Sequence, residues 1–71
     1  MKFENHMMVT TESGYERELV RWTKGGYDRV YINGGSSRGD GFVDLKNRTA
    51  NLRGNLKYQV EIVNMILSME F

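Results

Sequence analysis

The chain has 71 residues, with ten lysines and arginines against nine aspartates and glutamates, a formal net charge of +1, and neither cysteine nor proline. That length makes one domain, 1–71, with a thin core that buries about 60% of the unfolded surface. Disulfides and thiolate metal sites are excluded, and the lone histidine, His6, cannot hold zinc without a second ligand of its kind. Small domains usually add a staple, and the one left here is self-association, so a homodimer is expected.

No apolar run approaches the ~18 residues that span a membrane. The N-terminus lacks the apolar centre and cleavage site of a secretory leader. With the missing cysteines, this reads as a cytoplasmic protein that needs no cofactor, no metal and no membrane. Charge is unevenly spread: residues 1–24 hold four basic and four acidic side chains, 25–57 hold six and three, and 58–71 hold two glutamates. A non-specific nucleic-acid binder is normally far more basic.

In chain order, Phe3, Asn5, Met7 and Val9 alternate and predict a short strand. Ser13 with Glu16 three residues on matches a capping box. Tyr15, Leu19 and Trp22 then recur at i, i+4, i+7 beside Val20 and Thr23, and Gly25 is a natural stop, so a helix is predicted over about 14–24. Its other side carries Arg17, Arg21 and Lys24 at the same spacing, a basic helix face suited to an acidic or phosphate partner.

Residues 27–32 alternate, with Val30 and Ile32 opposite Arg29 and Tyr31. Residues 41–45 and 48–53 flank Lys46-Asn47, a two-residue hairpin turn. That register sets Val43 against Ala50 and Phe42 against Asn51. Val43, Leu45, Ala50 and Leu52 then share one side, and Phe42, Asp44, Thr49, Asn51 and Arg53 the other. Asn55 caps the last helix. Leu56, Val60, Val63, Leu67 and Phe71 form one apolar stripe of that helix, and Tyr58, Ile62, Met65 and Met69 a second, nearly opposite. A helix apolar on both sides asks to be covered on both sides, so the second stripe is expected to meet a partner or a second copy.

The stretch "YINGGSSRGDGF", 31–42, lies between two predicted strands. Phosphate-cradling glycine loops lead into a helix, which this one does not. The Arg38-Gly39-Asp40 triplet as an adhesion signal needs an exported protein. The stretch is read as a hairpin connection begun by Asn33-Gly34, with Arg38 as a contact residue carried on it. Asn47-Arg48-Thr49 fits a glycosylation sequon, which has no use without export.

Catalysis finds no support: there is no cysteine nucleophile, and nothing orients His6 as a base. Asp40 and Asp44 have no cleft in which to work as a carboxylate pair. If two helices cover the Val30/Ile32/Val43 side, then Arg29, Tyr31, Phe42 and Arg53 look outward together. Aromatics and arginines are enriched at protein-interface hot spots and also build single-strand stacking platforms.

The fold class expected is therefore α+β, a small antiparallel sheet of three or four strands with two helices on one face, in the order (β)-α-β-β-β-α. From residue 14 onward this is also the order of the double-stranded-RNA-binding domain. The basic cluster such domains place at the start of the last helix is reduced here to Lys57, so the order alone carries no family. The function expected is non-catalytic: docking on, and blocking or regulating, a protein or nucleoprotein partner. Short cysteine-free chains of this kind are typical of phage and mobile-element accessory inhibitors, anti-CRISPR proteins among them. The alternative is a nucleic-acid-binding regulator that uses Arg17, Arg21, Lys24, Arg29, Arg38 and Arg53.

Overall fold

The computed structural model describes residues 1–34 and 36–71, and the side chains of these outside 34–38; the expected contact residue Arg38 therefore has a side chain that lies outside the described residues. Five strands, β1 (His6–Thr10), β2 (Glu16–Trp22), β3 (Arg29–Gly34), β4 (Ser36–Asp44) and β5 (Thr49–Leu52), are followed by one helix, α1 (Lys57–Leu67). The strands pair in sequence order, each antiparallel to the next. The class is α+β, with one helix where two were expected and five strands where three or four were.

The predicted helix over 14–24 is instead the β1–β2 hairpin with strand β2. Thr11 N–H donates to the Tyr15 carbonyl (2.9 Å), Tyr15 N–H to Thr11 Oγ1 (3.1 Å) and Gly14 N–H to the Thr11 carbonyl (3.0 Å). Gly14 takes φ 91°, a conformation open to glycine and costly to others. Ser13 Oγ meets Thr11 Oγ1 rather than capping a helix. The stretch fits both periods: Leu19 with Trp22 at helical spacing, and Arg17, Leu19, Arg21 against Glu18, Val20, Trp22 at strand spacing. Tertiary pairing decides. Leu19 stands opposite Met7 on one side and Ile32 on the other, and is fully buried.

The first strand begins later than expected. Phe3 is buried outside the ladder, its N–H donating to the Glu70 carbonyl (2.9 Å) and its ring 5.2 Å from that of Phe71. The β4–β5 register is as predicted, Val43 facing Ala50 and Phe42 facing Asn51. The turn, however, spans 45–48, with Arg48 at φ 54° and Asp44 Oδ1 accepting from the Lys46 and Asn47 N–H groups.

α1 is capped at Leu56, not Asn55. Gln59 Oε1 reaches back to accept the Leu56 N–H at 2.9 Å, the half of a capping box that a leucine permits. The core lies between helix and sheet: Val9, Leu19, Val30, Ile32 and Val43 from the strands meet Ile62, Val63, Ile66 and Met69, with Phe3 at the margin. The second stripe is thus largely spent within the chain. Ile62 and Met69 are buried, Tyr58 and Met65 half-buried, and the expectation that Tyr58, Ile62, Met65 and Met69 need a partner or a second copy is corrected. Of the first stripe, Val63 is buried and Leu67 half-buried, while Leu56, Val60 and Phe71 stay exposed. Among the described residues, no helix is long and apolar enough to cross a membrane.

Most of the glycine-rich stretch is strand, not connection, since β4 starts at Ser36. Its register against β3 shifts between Ile32 and Gly34, with Gly39 at φ 66° and Gly41 at φ 121°. A Cβ on Gly41 would fall inside the van der Waals radius of the Asn51 carbonyl. Gly41→Ala should therefore cost about 3 kcal/mol or more, from strain and overlap together. Gly26, also at positive φ but with open space around it, should cost only about 1 kcal/mol as alanine. Urea midpoints of the two variants check the difference.

Candidate functional site: the uncovered sheet face

The two faces of the sheet treat charge differently. On the helix side, Arg17 and Arg21 flank Leu19 along β2, so they do not form the basic helix face expected of Arg17, Arg21 and Lys24. Arg17 Nε donates to Asp40 Oδ2 (2.6 Å), with both side chains about nine-tenths buried. Asp40 Oδ1 accepts from Tyr58 Oη (2.9 Å) and Gln59 Nε2 (3.0 Å). The Arg17 guanidinium lies 4.9 Å from the Tyr58 ring, which stacks on Tyr15 at 4.2 Å. Arg21 grips Asp28 side-on, Nε to Oδ1 at 2.9 Å and Nη2 to Oδ2 at 3.0 Å. Lys24 is exposed on a single 3₁₀ turn, Lys24–Gly26.

Asp40 is the acidic end of the Arg-Gly-Asp triplet. Its burial and three partners leave nothing to offer an adhesion receptor. Burial pushes its carboxyl up, but the hydrogen bonds from Gln59, Arg17 and Tyr58 outweigh that and hold it below its ordinary value. The Asp40 bond likewise holds Arg17 above its own.

Among the described residues, no helix covers the other face. Ladder pairing sets Val20, Tyr31, Phe42 and Asn51 in one row across four strands. Trp22, Arg29, Asp44 and Thr49 form the next row. Tyr31 and Phe42 rings lie 5.2 Å apart. The Arg29 guanidinium is held between the Tyr27 and Phe42 rings, 4.1 and 4.2 Å from their centroids, and Nη1 donates to Tyr31 Oη at 3.1 Å. Trp22 and Tyr27 are about half exposed, at 47% and 52%. Val20, Trp22, Tyr31 and Asn33 line a shallow depression of about 310 Å³.

The structure therefore brings together Arg29, Tyr31 and Phe42 as expected. Arg53 lies exposed just beyond β5, its N–H donating to the Asp40 carbonyl. Val20, Trp22 and Tyr27 were missed as members of the face. The first two were assigned to a helix, although their alternation with Leu19 and Arg21 carried the signal.

A larger groove of about 880 Å³ runs between α1 and the β1 edge, past Thr10, Glu12, Lys57, Val60, Asn64 and Met65. It has no aromatic anchor, and its Glu61 carboxylate already accepts the Glu12 N–H at 2.7 Å. The aromatic row is the better candidate because interface energy concentrates in Trp, Tyr and Arg. His6, across from Val20, bonds Glu18 Oε2 through Nε2 (2.6 Å), and that bond, with a weaker one from Asn33, holds Glu18 below its ordinary value. Among the described residues, no three His, Cys, Asp or Glu side chains are grouped to hold a metal ion.

The depressed Asp40 pKa has a definite sign. Its stabilisation is present above the unfolded value of about 3.9 and is lost as pH falls through the folded one. Asp28, held low chiefly by Arg21, acts in the same direction. Asp40→Asn should be destabilised at neutral pH by about 3–5 kcal/mol, because Arg17 is left buried without its carboxylate. It should also lose less of its remaining stability between pH 5 and pH 2 than the parent chain, roughly the interval over which such carboxylates titrate. Urea midpoints against pH check both parts; an equal acid slope in the two proteins contradicts the assignment.

Comparison with protein-family models, curated proteins and solved structures finds no match to this chain.

Proposed function

We propose that this is a non-catalytic binding protein that lays its uncovered sheet face on a protein partner, and so blocks or regulates that partner in the manner of phage and mobile-element accessory inhibitors. The observation that carries the reading is the row Val20–Tyr31–Phe42, with Trp22 and Arg29 beside it, facing solvent on a sheet whose other face holds the whole core. An open face this rich in aromatic area is costly in water unless it is used. Aromatic rings with one arginine, set on rigid strands, lose little conformational freedom on docking.

Charge favours protein over nucleic acid. Two of the arginines assigned to a phosphate-binding face, Arg17 and Arg21, are paired with Asp40 and Asp28 on the covered side. Glu16 and Glu18 stand on the open side, beside Met8, Thr10 and Asn33 in the ladder. A polyanion laid across them would be repelled.

Tyr31→Ala should weaken the complex with a partner captured from the native host by about 2 kcal/mol or more, roughly 30-fold in Kd. Val60→Asp, on the exposed side of α1, should leave it unchanged. Raising salt from ~50 to ~200 mM should change the affinity little, whereas a complex with DNA or RNA would lose orders of magnitude. Equal loss from the two substitutions, or capture that depends on nucleic acid, would overturn the reading.

A further inference from the structure

The arginines of this chain divide by what meets the Nε–Nη2 edge, the fork that grips a carboxylate side-on. In Arg21 both atoms of that edge are taken by Asp28. In Arg17 the Nε is taken by Asp40. In Arg29 only Nη1 is engaged, with Tyr31 Oη. Its Nε is buried and, among the described residues, has no acceptor at all. A buried cationic donor without a partner is destabilising, and an incoming acceptor removes that cost.

The obvious internal acceptor is Asp44, directly opposite Arg29 in the ladder. That carboxylate is committed to its own turn: Oδ1 accepts from the Lys46 and Asn47 N–H groups, and Oδ2 from Asn47 Nδ2. Meanwhile Tyr27 and Phe42 clamp the guanidinium plane from both sides. The guanidinium is thus oriented, and its Nε has no acceptor among the described residues.

We infer that Arg29 is a carboxylate-binding anchor: its Nε–Nη2 fork takes the side-chain carboxylate of an aspartate or glutamate on the partner protein. The inference rests on the docking reading above for its natural occupant. A planar two-oxygen acceptor matches the fork, and a lysine in this place would not offer it. Trp22 is the ladder neighbour of Arg29, and the depression over Val20, Trp22, Tyr31 and Asn33 adjoins it. The recognised segment therefore pairs one acidic side chain with an apolar one that fills the depression. Because Nε is buried, an acceptor reaches it only if a neighbouring side chain shifts, and Tyr27, half exposed on the connection ahead of β3, has its ring 4.1 Å from the guanidinium. A phosphate chain fits less well, since Glu16 and Glu18 share the face.

The test uses the intact ¹⁵N-labelled protein without any partner. Sodium acetate is titrated while the arginine Nε–H resonances are followed, with sodium chloride and sodium phosphate at matched ionic strength as the other arms. Acetate should move the Arg29 Nε–H along a saturating curve and leave that of Arg21 in place, because Asp28 already fills the Arg21 fork. Arg29→Lys should abolish the accompanying shifts at Tyr31 and the Trp22 indole. An Arg29 resonance that follows chloride as it follows acetate would overturn the inference, as would one that saturates with phosphate alone. Either negative leaves docking intact if Tyr31→Ala still weakens the complex while Val60→Asp does not. Loss of the docking result with a positive acetate titration separates the two the other way.

Discussion

The carboxylate of Asp40 joins sheet and helix by polar contact inside the covered face. It takes Arg17 from β2 and both Tyr58 and Gln59 from the first turn of α1, while Gln59 in turn holds the Leu56 N–H that opens the helix. Asp40 and Gln59 are two of the few polar side chains buried among the described residues. A buried ion pair is weak as a source of net stability, because desolvation offsets most of the attraction. Its effect here is directional: it sets the rotation and the starting point of a helix that is apolar on two sides and would otherwise pack in more than one way.

That constraint reaches back to the glycines. Simple strand alternation would put Asp40 on the side of Phe42, away from the helix. The register shift in β4, with Gly39 and Gly41 at positive φ, turns it to the covered side. The cost is local backbone irregularity, and it is met by residues that adopt it without strain. Asp40 and Asp28 pair with the two arginines of β2, Arg17 and Arg21. On the open face, Arg29 has no carboxylate hydrogen-bonded to it among the described residues. The polarity of the candidate site thus follows from how the core is assembled.

Much of this could be read from the residues. The β4–β5 register, the alternation along β3 and the C-terminal helix all follow from periodicity, because in each the hydrophobic pattern fits one period alone. The outward grouping of Arg29, Tyr31 and Phe42 came with them. Strand β2 did not, since residues 15–22 satisfy the helical and the strand period equally, and a capping-box pattern in front of them tips a local reading toward helix. What decides between the two is a contact between residues far apart in the chain, Leu19 with Met7 and Ile32. No window of eight residues contains it. The same error hid Val20 and Trp22 from the face, and the role of Asp40 was hidden because a bulge moves a side chain to the face that alternation denies it.

An uncovered sheet with exposed rings is also a hazard, since it invites association with any apolar surface. The layout of charge around the rings argues that this face is selective. Glu18 is held by His6 and Asn33, and Asp44 by its own turn, so neither is placed to accept from Arg29 Nε, although the charge of Asp44 still acts on Arg29. A second copy of the chain brought face to face would add a second pair of Glu16 and Glu18 carboxylates to a face that already carries one pair. A partner that brings its own carboxylate beside an apolar side chain meets no such mismatch. In the proposed docking, specificity then comes from an unsatisfied donor that an indiscriminate apolar contact would bury deeper.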